Sequence, residues 1–329
     1  MNNSNNKKKI LVTLGPSTLN KNFLVFAAVK NISYLRLNMS HIKINQLEKI
    51  IKFIKKYNTK TPICIDTEGA QIRTKVKKKI FLKKNAKINI FKNGGNFNLY
   101  PDEVFDKLKK NDTLLIGFEN LSVKVIKIEK KYIKVKIITE GFLEGNKGIH
   151  LKNRKIKLNY LTEKDLEAIK IGKKNNIKTF ALSFTNSSAD IVKFKQILKT
   201  EKKIYKLETI SAMKDLKNII NKGEIFLIDR GDLSKETEIE KIPMYQRKIT
   251  KIANLQKKKE VYIATNLLES MIENSSPTRA EANDIFNCLE LGASGLVLAA
   301  ETAIGKYPKN AVLFLKKMII EFNNYQIKK

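Results

Sequence analysis

Two kinds of apolar spacing alternate along most of this chain. Short runs of consecutive apolar residues, as a strand buried on both faces needs, are followed by segments whose apolar positions recur every three or four residues, as one helix face needs. The first run, Lys9-Ile-Leu-Val-Thr-Leu, ends in a Gly15-Pro16-Ser17 turn, and Phe23, Phe26, Ala27 and Ala28 then stripe a helix between Asn22 and Asn31. Ile32 to Asn38 predicts a second strand, ending in Met39-Ser40-His41. Leu47, Ile50, Ile51 and Ile54 stripe the next helix, and Pro62 to Asp66 predicts a third strand running into Thr67-Glu68-Gly69.

The rhythm changes after Arg73. From Lys75 to about Lys157 short runs alternate apolar residues with lysine, as in Ala86 to Ile90, Val123 to Ile128 and Tyr132 to Ile137, separated by Gly-Gly, Asn-Asp and Glu-Lys-Lys turns. That pattern predicts an inserted antiparallel β domain over residues 75–157. The first rhythm resumes at Leu161, where Thr162 is placed to cap a helix through Ala168, Ile169 and Ile171, with Asp165 standing in for the usual Glu of a capping box. Further strands are expected at Lys178 to Phe184, Lys203 to Glu208, Glu224 to Asp229, Glu260 to Thr265 and Ser294 to Ala299, each followed by a helix, the last from Asn310 to Asn323. Eight strands and eight helices predict an α/β fold: a (β/α)8 TIM barrel from residues 1–74 and 158–329, with a small antiparallel β-barrel lid inserted, the chain stopping where the barrel does.

Composition narrows the class. The 329 residues are 42% hydrophobic, enough for one large domain and a smaller one. No run approaches the roughly 18 apolar residues of a membrane span, and Met1 to Lys9 has no apolar region behind it, so a cytoplasmic enzyme is expected. Cys64 and Cys288 sit in apolar-periodic segments without metal-ligand spacing and are expected to be reduced core residues. Two histidines, His41 and His150, are too few for a multi-histidine zinc site. The net charge of +33 invites a nucleic-acid reading. Against it, the lysines are spread over nearly every segment alongside an excess of Asn and Ile, and no recognised nucleic-acid module appears. No specific nucleic-acid partner is expected, although the field favours anionic ligands.

The candidate chemistry centres on Lys206-Leu-Glu208 and Asp229-Arg-Gly-Asp232, which close two expected strands with a helix between them, its apolar stripe at Ala212, Leu216, Ile219 and Ile220. In a parallel barrel both strand ends face the same loops, so Lys206, Glu208 and Asp232 converge. One ammonium and two carboxylates suit a hard divalent cation carrying a phosphate; they equally suit two salt bridges at strand ends.

Taken together, the strand ends resemble pyruvate kinase. Leu14-Gly-Pro-Ser17, Leu35-Arg-Leu-Asn-Met-Ser-His41 and Asp66-Thr-Glu-Gly-Ala-Gln-Ile-Arg-Thr74 look like that family's first three strand ends. Lys206-Leu-Glu208, Arg230-Gly-Asp-Leu233, Ala264-Thr-Asn-Leu-Leu-Glu-Ser-Met271, Pro277-Thr-Arg-Ala-Glu281 and Glu301-Thr-Ala303 follow in the family's order, and the insertion matches its lid. The resemblance implies transfer of the phosphoryl group of phosphoenolpyruvate to ADP, giving pyruvate and ATP in glycolysis. It implies that Glu208 and Asp232 hold Mg2+ or Mn2+, and that Lys206 faces the transferring phosphoryl group and developing enolate oxygen. Arg36 and Arg73 would bind phosphate oxygens, and Thr265 would lie near the carbon that is protonated. The N–H groups of Gly231 and Asp232 would bind the substrate carboxylate. Asn38, Ser40, Asp66 and Thr67 match the K+ site, although each would also serve as a cap or turn residue. His41 reads as a nucleotide-side contact or a structural cap, and Lys147 as the lid lysine that reaches nucleotide phosphate. Family enzymes associate partly through the barrel, so a homo-oligomer is expected. Control at the family's C-terminal regulatory domain is not, because that domain has no counterpart here.

Several positions depart from the family's pattern. Glu68 reverses a charge, Gln71 replaces the Glu that usually accompanies K+ dependence, and Asp229 replaces a small residue beside the carboxylate pocket. Asn186 stands where an arginine is usual, Asn266 replaces a glutamine, Ala299-Ala300-Glu301-Thr-Ala-Ile304 replaces Ser-Gly-Glu-Thr-Ala-Lys, and the Asp-Asp-Gly turn is missing near Phe118. The departures gather around the nucleotide and the monovalent cation. They leave room for two further readings, a barrel enzyme acting on another enolpyruvate or 2-oxo acid, and a noncatalytic metabolite-binding paralogue.

Overall fold

The computed structural model describes residues 8–117, 121–152, 154–256 and 258–328, so the turn near Phe118 lies outside the described residues. The chain divides into two compact units, Met1–Gly69 with Glu163–Lys329, and Ala70–Thr162. The boundaries differ from the sequence-based 74/75 and 157/158. Arg73 and Thr74 belong to a strand, Ile72–Val76, that is paired along its length with Phe97–Tyr100, and this keeps them in the smaller unit.

The larger unit is a closed barrel of eight parallel strands: Lys9–Thr13, Tyr34–Asn38, Ile63–Asp66, Thr179–Leu182, Lys202–Leu207, Ile225–Asp229, Glu260–Ala264 and Gly295–Leu298. Each strand pairs with its neighbours in sequence, and the last closes on the first with Lys9 opposite Gly295. The strands are buried almost throughout, because their outward faces meet helices and their inward faces meet one another. Helices follow the strands as the spacing predicts, the last extending over Pro308–Lys328. The helix after the fifth strand is broken into Ile210–Lys214 and Leu216–Lys222, and that after the sixth begins as a four-residue turn, Arg230–Leu233, ahead of Ile242–Asn254.

The barrel interior holds Leu11, Tyr34, Cys64, Ala181, Ile204, Ile225, Leu227, Tyr262, Ala264 and Val297. Inward positions recur every second residue, so each strand's interior row is legible from one member. At the start of the strands, Lys9 ion-pairs with Glu260, whose carboxylate also accepts from the Tyr262 hydroxyl at 2.6 Å. Cys64 and Cys288 are buried and free.

The smaller unit is a seven-stranded antiparallel sheet in the order Lys87–Phe91, Tyr132–Thr139, Leu121–Ile128, Thr113–Ile116, Gly148–Leu151, Ile72–Val76, Phe97–Tyr100. It curls until its two edge strands approach, and Asn98 Nδ2 donates to the Phe91 carbonyl across the gap at 2.8 Å. Ile133, Val135 and Ile137 point into its core with Val123, Val125 and Ile90, while the intervening lysines face outward. Ile80–Leu82 and Gly141–Leu143 form a separate two-stranded pair. No described helix is long and apolar enough to cross a membrane.

Candidate active site

The interior rows of the barrel change from apolar to polar at the strands' C-terminal ends. Two residues beyond Leu11 lies Thr13, beyond Tyr34 lies Arg36, beyond Cys64 lies Asp66, and beyond Ala181 lies Ser183. Beyond Ile204 lie Lys206 and then Glu208, and beyond Leu227 lies Asp229. The parity that builds the core therefore delivers one layer of polar side chains to the barrel mouth, the end at which this fold places its chemistry.

Lys206 is the hub of that layer. It is only 3% exposed, and its Nζ lies 3.1 Å from Glu208 Oε2, 3.2 Å from Asp229 Oδ2 and 3.7 Å from Asp66 Oδ2. Its Nζ also donates to Ser183 Oγ at 3.3 Å. Burial disfavours the ammonium, but the three carboxylates outweigh that cost and raise its pKa above the usual lysine value. Arg36 is held just as firmly: Nε and Nη2 meet Asp66 Oδ2 at 2.7 and 2.5 Å, and Nη1 donates to Thr13 Oγ1 at 2.8 Å.

Among the described residues, Glu208, Asp229 and Asp232 form a group whose ligand atoms all lie within 4.8 Å of one another. Burial pushes the Glu208 carboxyl up to about 8, with Asp232 and Asp229 adding to the shift and Lys206 opposing it. Asp229 moves the other way. Burial raises it, but Lys206, Arg36 and a 2.7 Å hydrogen bond from the Thr265 hydroxyl hold it below the usual carboxylate range. Glu208 Oε1 accepts from the Phe184 N–H at 2.6 Å, whereas its buried Oε2 accepts no hydrogen bond. An all-carboxylate donor set, with one buried oxygen that meets only the Lys206 ammonium, fits a hard divalent cation. Asp232 Oδ1 meets Lys235 at 2.6 Å.

Backbone shape around the site comes partly from residues, Phe184 and Thr265, that rarely adopt it. Phe184, Thr265 and Asn266 have φ of 51°, 75° and 55°, left-handed values held without glycine. Arg230 fixes the second turn: its Nε and Nη2 donate to the Thr265 carbonyl at 3.0 and 2.7 Å, and its Nη1 to Asp284 at 2.7 Å. Gly231 packs so closely that an added Cβ would stand 2.8 Å from Thr265 Cγ2.

Lys206, Glu208, Arg36, Asp66 and Thr265 thus belong to one network, and Asp232 joins it through the carboxylate group. Asn38 and Asp66 are register partners on adjacent strands. Asn38 Oδ1 accepts from the Ser40 N–H at 3.0 Å, while Ser183 Oγ donates to Asp66 Oδ1 at 3.1 Å and to the Thr67 carbonyl at 2.6 Å. His41 is exposed in the turn after the second strand. Arg73, opposite Gly148 and Tyr100, and Lys147, paired with Glu144 at 3.0 Å, lie in the smaller unit.

Two contacts go beyond the expectations. The Asp232 N–H is directed at Asp229 Oδ1 at 3.5 Å, because Asp229 caps the short Arg230–Leu233 helix. The Asp165 carboxylate reaches across to accept the N–H groups of Glu68 and Gly69 at 2.8 and 3.0 Å, a bond to the third strand's loop that a capping-box reading did not anticipate. The charge reversal at Glu68 is matched by Lys164, whose Nζ meets Glu68 Oε2 at 3.0 Å and the Met39 carbonyl at 2.5 Å. Asn186 Oδ1 accepts from the Thr209 hydroxyl at 2.9 Å, tying the fourth and fifth strand ends. Sequence reasoning gave no role to Ser183, Arg230 or Asp284; the interior parity alone would have brought Ser183 to the mouth.

The family described as "Pyruvate kinase, barrel domain" matches residues 5–312. A pyruvate kinase of Thermotoga maritima is 32% identical over 335 residues, covering 95% of this chain and 70% of that protein. One of Methanocaldococcus jannaschii is 35% identical, covering 95% and 68%, and the chloroplastic isozyme G of Nicotiana tabacum is 31% identical, covering 94% and 58%. With that family model matching most of its length and relatives at 32 and 35% identity covered to more than two thirds, the chain belongs to the pyruvate kinase family.

Proposed function

We propose that this protein transfers the phosphoryl group of phosphoenolpyruvate to ADP, releasing pyruvate and ATP. The observation that carries the reading is the Lys206 ammonium, buried and held charged among Asp66, Glu208 and Asp229 at the barrel mouth. A compact fixed cation there neutralises charge on the phosphoryl oxygens in flight and on the enolate oxygen left behind.

Arg36, aligned by Asp66 and Thr13, binds phosphate oxygens in a fixed orientation. Glu208 and Asp232 would hold Mg2+ or Mn2+, which would supply positive charge to the transferring phosphoryl group. The substrate's carboxylate takes the N–H groups of Gly231 and Asp232, the 3.5 Å contact to Asp229 being weak enough to yield to it. The P–O bond to the enol breaks as the ADP oxygen bonds phosphorus, and the enolate so released then takes a proton from solvent at its terminal carbon, beside the Thr265 hydroxyl. Asn38, Ser40, Asp66 and Thr67 would hold K+, with Arg36, Arg73, His41 and Lys147 on the nucleotide. Neither nucleic acid nor membrane has a part in this reading.

The test is pyruvate formation from phosphoenolpyruvate and ADP by the purified chain with Mg2+, with and without K+, beside Lys206→Met. ADP-dependent pyruvate that disappears in the variant supports the proposal. Folded wild-type protein that releases none would overturn it.

A further inference from the structure

We propose that Asp229 is a specificity-determining residue, a fixed negative charge beside the substrate-carboxylate subsite. It makes the protein hold its substrate through the phosphoryl group, and it expels the carboxylate product once that group has left. The inference rests on the reading of the Gly231 and Asp232 N–H groups as that subsite. Asp229 Oδ1 stands 3.5 Å from the Asp232 nitrogen, and a Cβ added to Gly231 would lie 3.6 Å from the same oxygen. The carboxylate is held from two further sides, since the Thr265 hydroxyl donates to Oδ1 at 2.7 Å and Lys206 Nζ lies 3.2 Å from Oδ2. Asp229 is only 7% exposed, so water screens its charge poorly.

Lys206 cancels that charge only in part, because its ammonium is shared with Glu208 at 3.1 Å and Asp66 at 3.7 Å. A substrate carboxylate that accepts the Asp232 N–H at the usual length of about 2.9 Å has its oxygen no more than about 6.4 Å from Asp229 Oδ1. At an effective dielectric of about 20, two like charges at that distance weaken binding about a hundredfold. With half of the repulsion offset by Lys206, about tenfold remains. Phosphoenolpyruvate outweighs it, since its phosphoryl oxygens meet Lys206 and the Arg36 guanidinium that Asp66 and Thr13 align. Pyruvate keeps the carboxylate and has lost the phosphoryl group, so nothing outweighs the repulsion and it leaves.

The experiment compares wild type, Asp229→Asn and Asp229→Ala as full chains with Mg2+. It reads the KM for phosphoenolpyruvate, the inhibition constant of pyruvate and, without turnover, pyruvate binding from the broadening of its methyl proton resonance. Both variants are expected to lower the KM about tenfold and to bind pyruvate tighter by at least that factor, while the KM for ADP does not move. Asn keeps the shape and the acceptor of the side chain without its charge, so tightening confined to Asp229→Ala would be steric and would overturn the proposal. Variants that fold, judged by circular dichroism, and bind pyruvate no tighter than wild type overturn it as well. If no protein turns over phosphoenolpyruvate but both variants bind pyruvate more tightly, the role of Asp229 stands and the proposed reaction falls. Wild type alone gives a further check: pyruvate that binds it as tightly as phosphoenolpyruvate overturns the proposal whether or not a variant folds.

Discussion

Removing Lys206 should cost stability as well as activity. A solvated lysine at a strand end could be replaced at almost no cost. This one is 3% exposed and lies 3.1 to 3.7 Å from three carboxylates. In Lys206→Met, Asp66 keeps Arg36, but Glu208 and Asp229 lose their nearest cation while remaining buried. Taking one partner from a buried ionic group costs about 3 to 5 kcal/mol, which in a chain of this size lowers the melting temperature by about 4 to 7 °C. The deficit also has a pH signature. Lys206 has its pKa raised in the fold, so its contribution is fully present below the unfolded lysine value and is undiminished at neutral pH. Glu208 is already pushed up to about 8, and in the variant it takes up a proton still more readily, which relieves the carboxylate repulsion. The gap between wild type and variant should therefore narrow as pH falls from about 10 to about 8 and stay level below that, where Glu208 is protonated in both proteins. Thermal and urea melts of both proteins across that range provide the check, with Lys206→Met/Asp229→Asn expected to recover part of the loss. A loss under about 1 kcal/mol, the scale of an exposed ion pair, would refute the reasoning.

Two further outcomes follow from the same layer. Affinity for Mn2+ should rise as pH is raised through about 8, because Glu208 must give up its proton to serve as a ligand; an affinity that is flat across that range would sink the assignment. Asp165→Ala orphans the buried Glu68 and Gly69 N–H groups and should lower stability by about 2 kcal/mol or more, with Asp165→Asn recovering part, read by urea unfolding.

Much of this was legible in the sequence because barrel strands report themselves twice. Their unbroken apolar runs give the fold, and their alternation gives the interior rows, so Arg36, Asp66, Lys206 and Glu208 stand where the pattern puts them. Polar partners are another matter. Periodicity says which way a side chain points, but not which of several donors it will reach. Asp165 reads as a capping residue because its local spacing allows that, but spacing says nothing of the Glu68 and Gly69 N–H groups its carboxylate accepts, nearly a hundred positions earlier in the chain. Asp229 is visible as an extra charge, but only the fold shows that it faces Lys206, Thr265 and the Asp232 N–H together. The left-handed Phe184 and Thr265 carry no sequence signal, since neither is a residue that turns normally recruit.

Asp66 carries one more consequence. From the third strand its carboxylate touches Arg36 on the second, Ser183 beyond the fourth and Lys206 on the fifth. A closed barrel has no free edge, so the main alternative packings open to it are slips of one strand along its neighbour, and a slip by one residue turns every interior side chain outward. In the apolar layers such an error exchanges one hydrophobic residue for another at modest cost. At the mouth it would push a lysine, an arginine or a carboxylate into the greasy interface beneath the helices. The polar layer thus acts as a tally of alignment across four adjacent strands, and the substitutions least tolerated for chemistry are also those that would blur the barrel's shear.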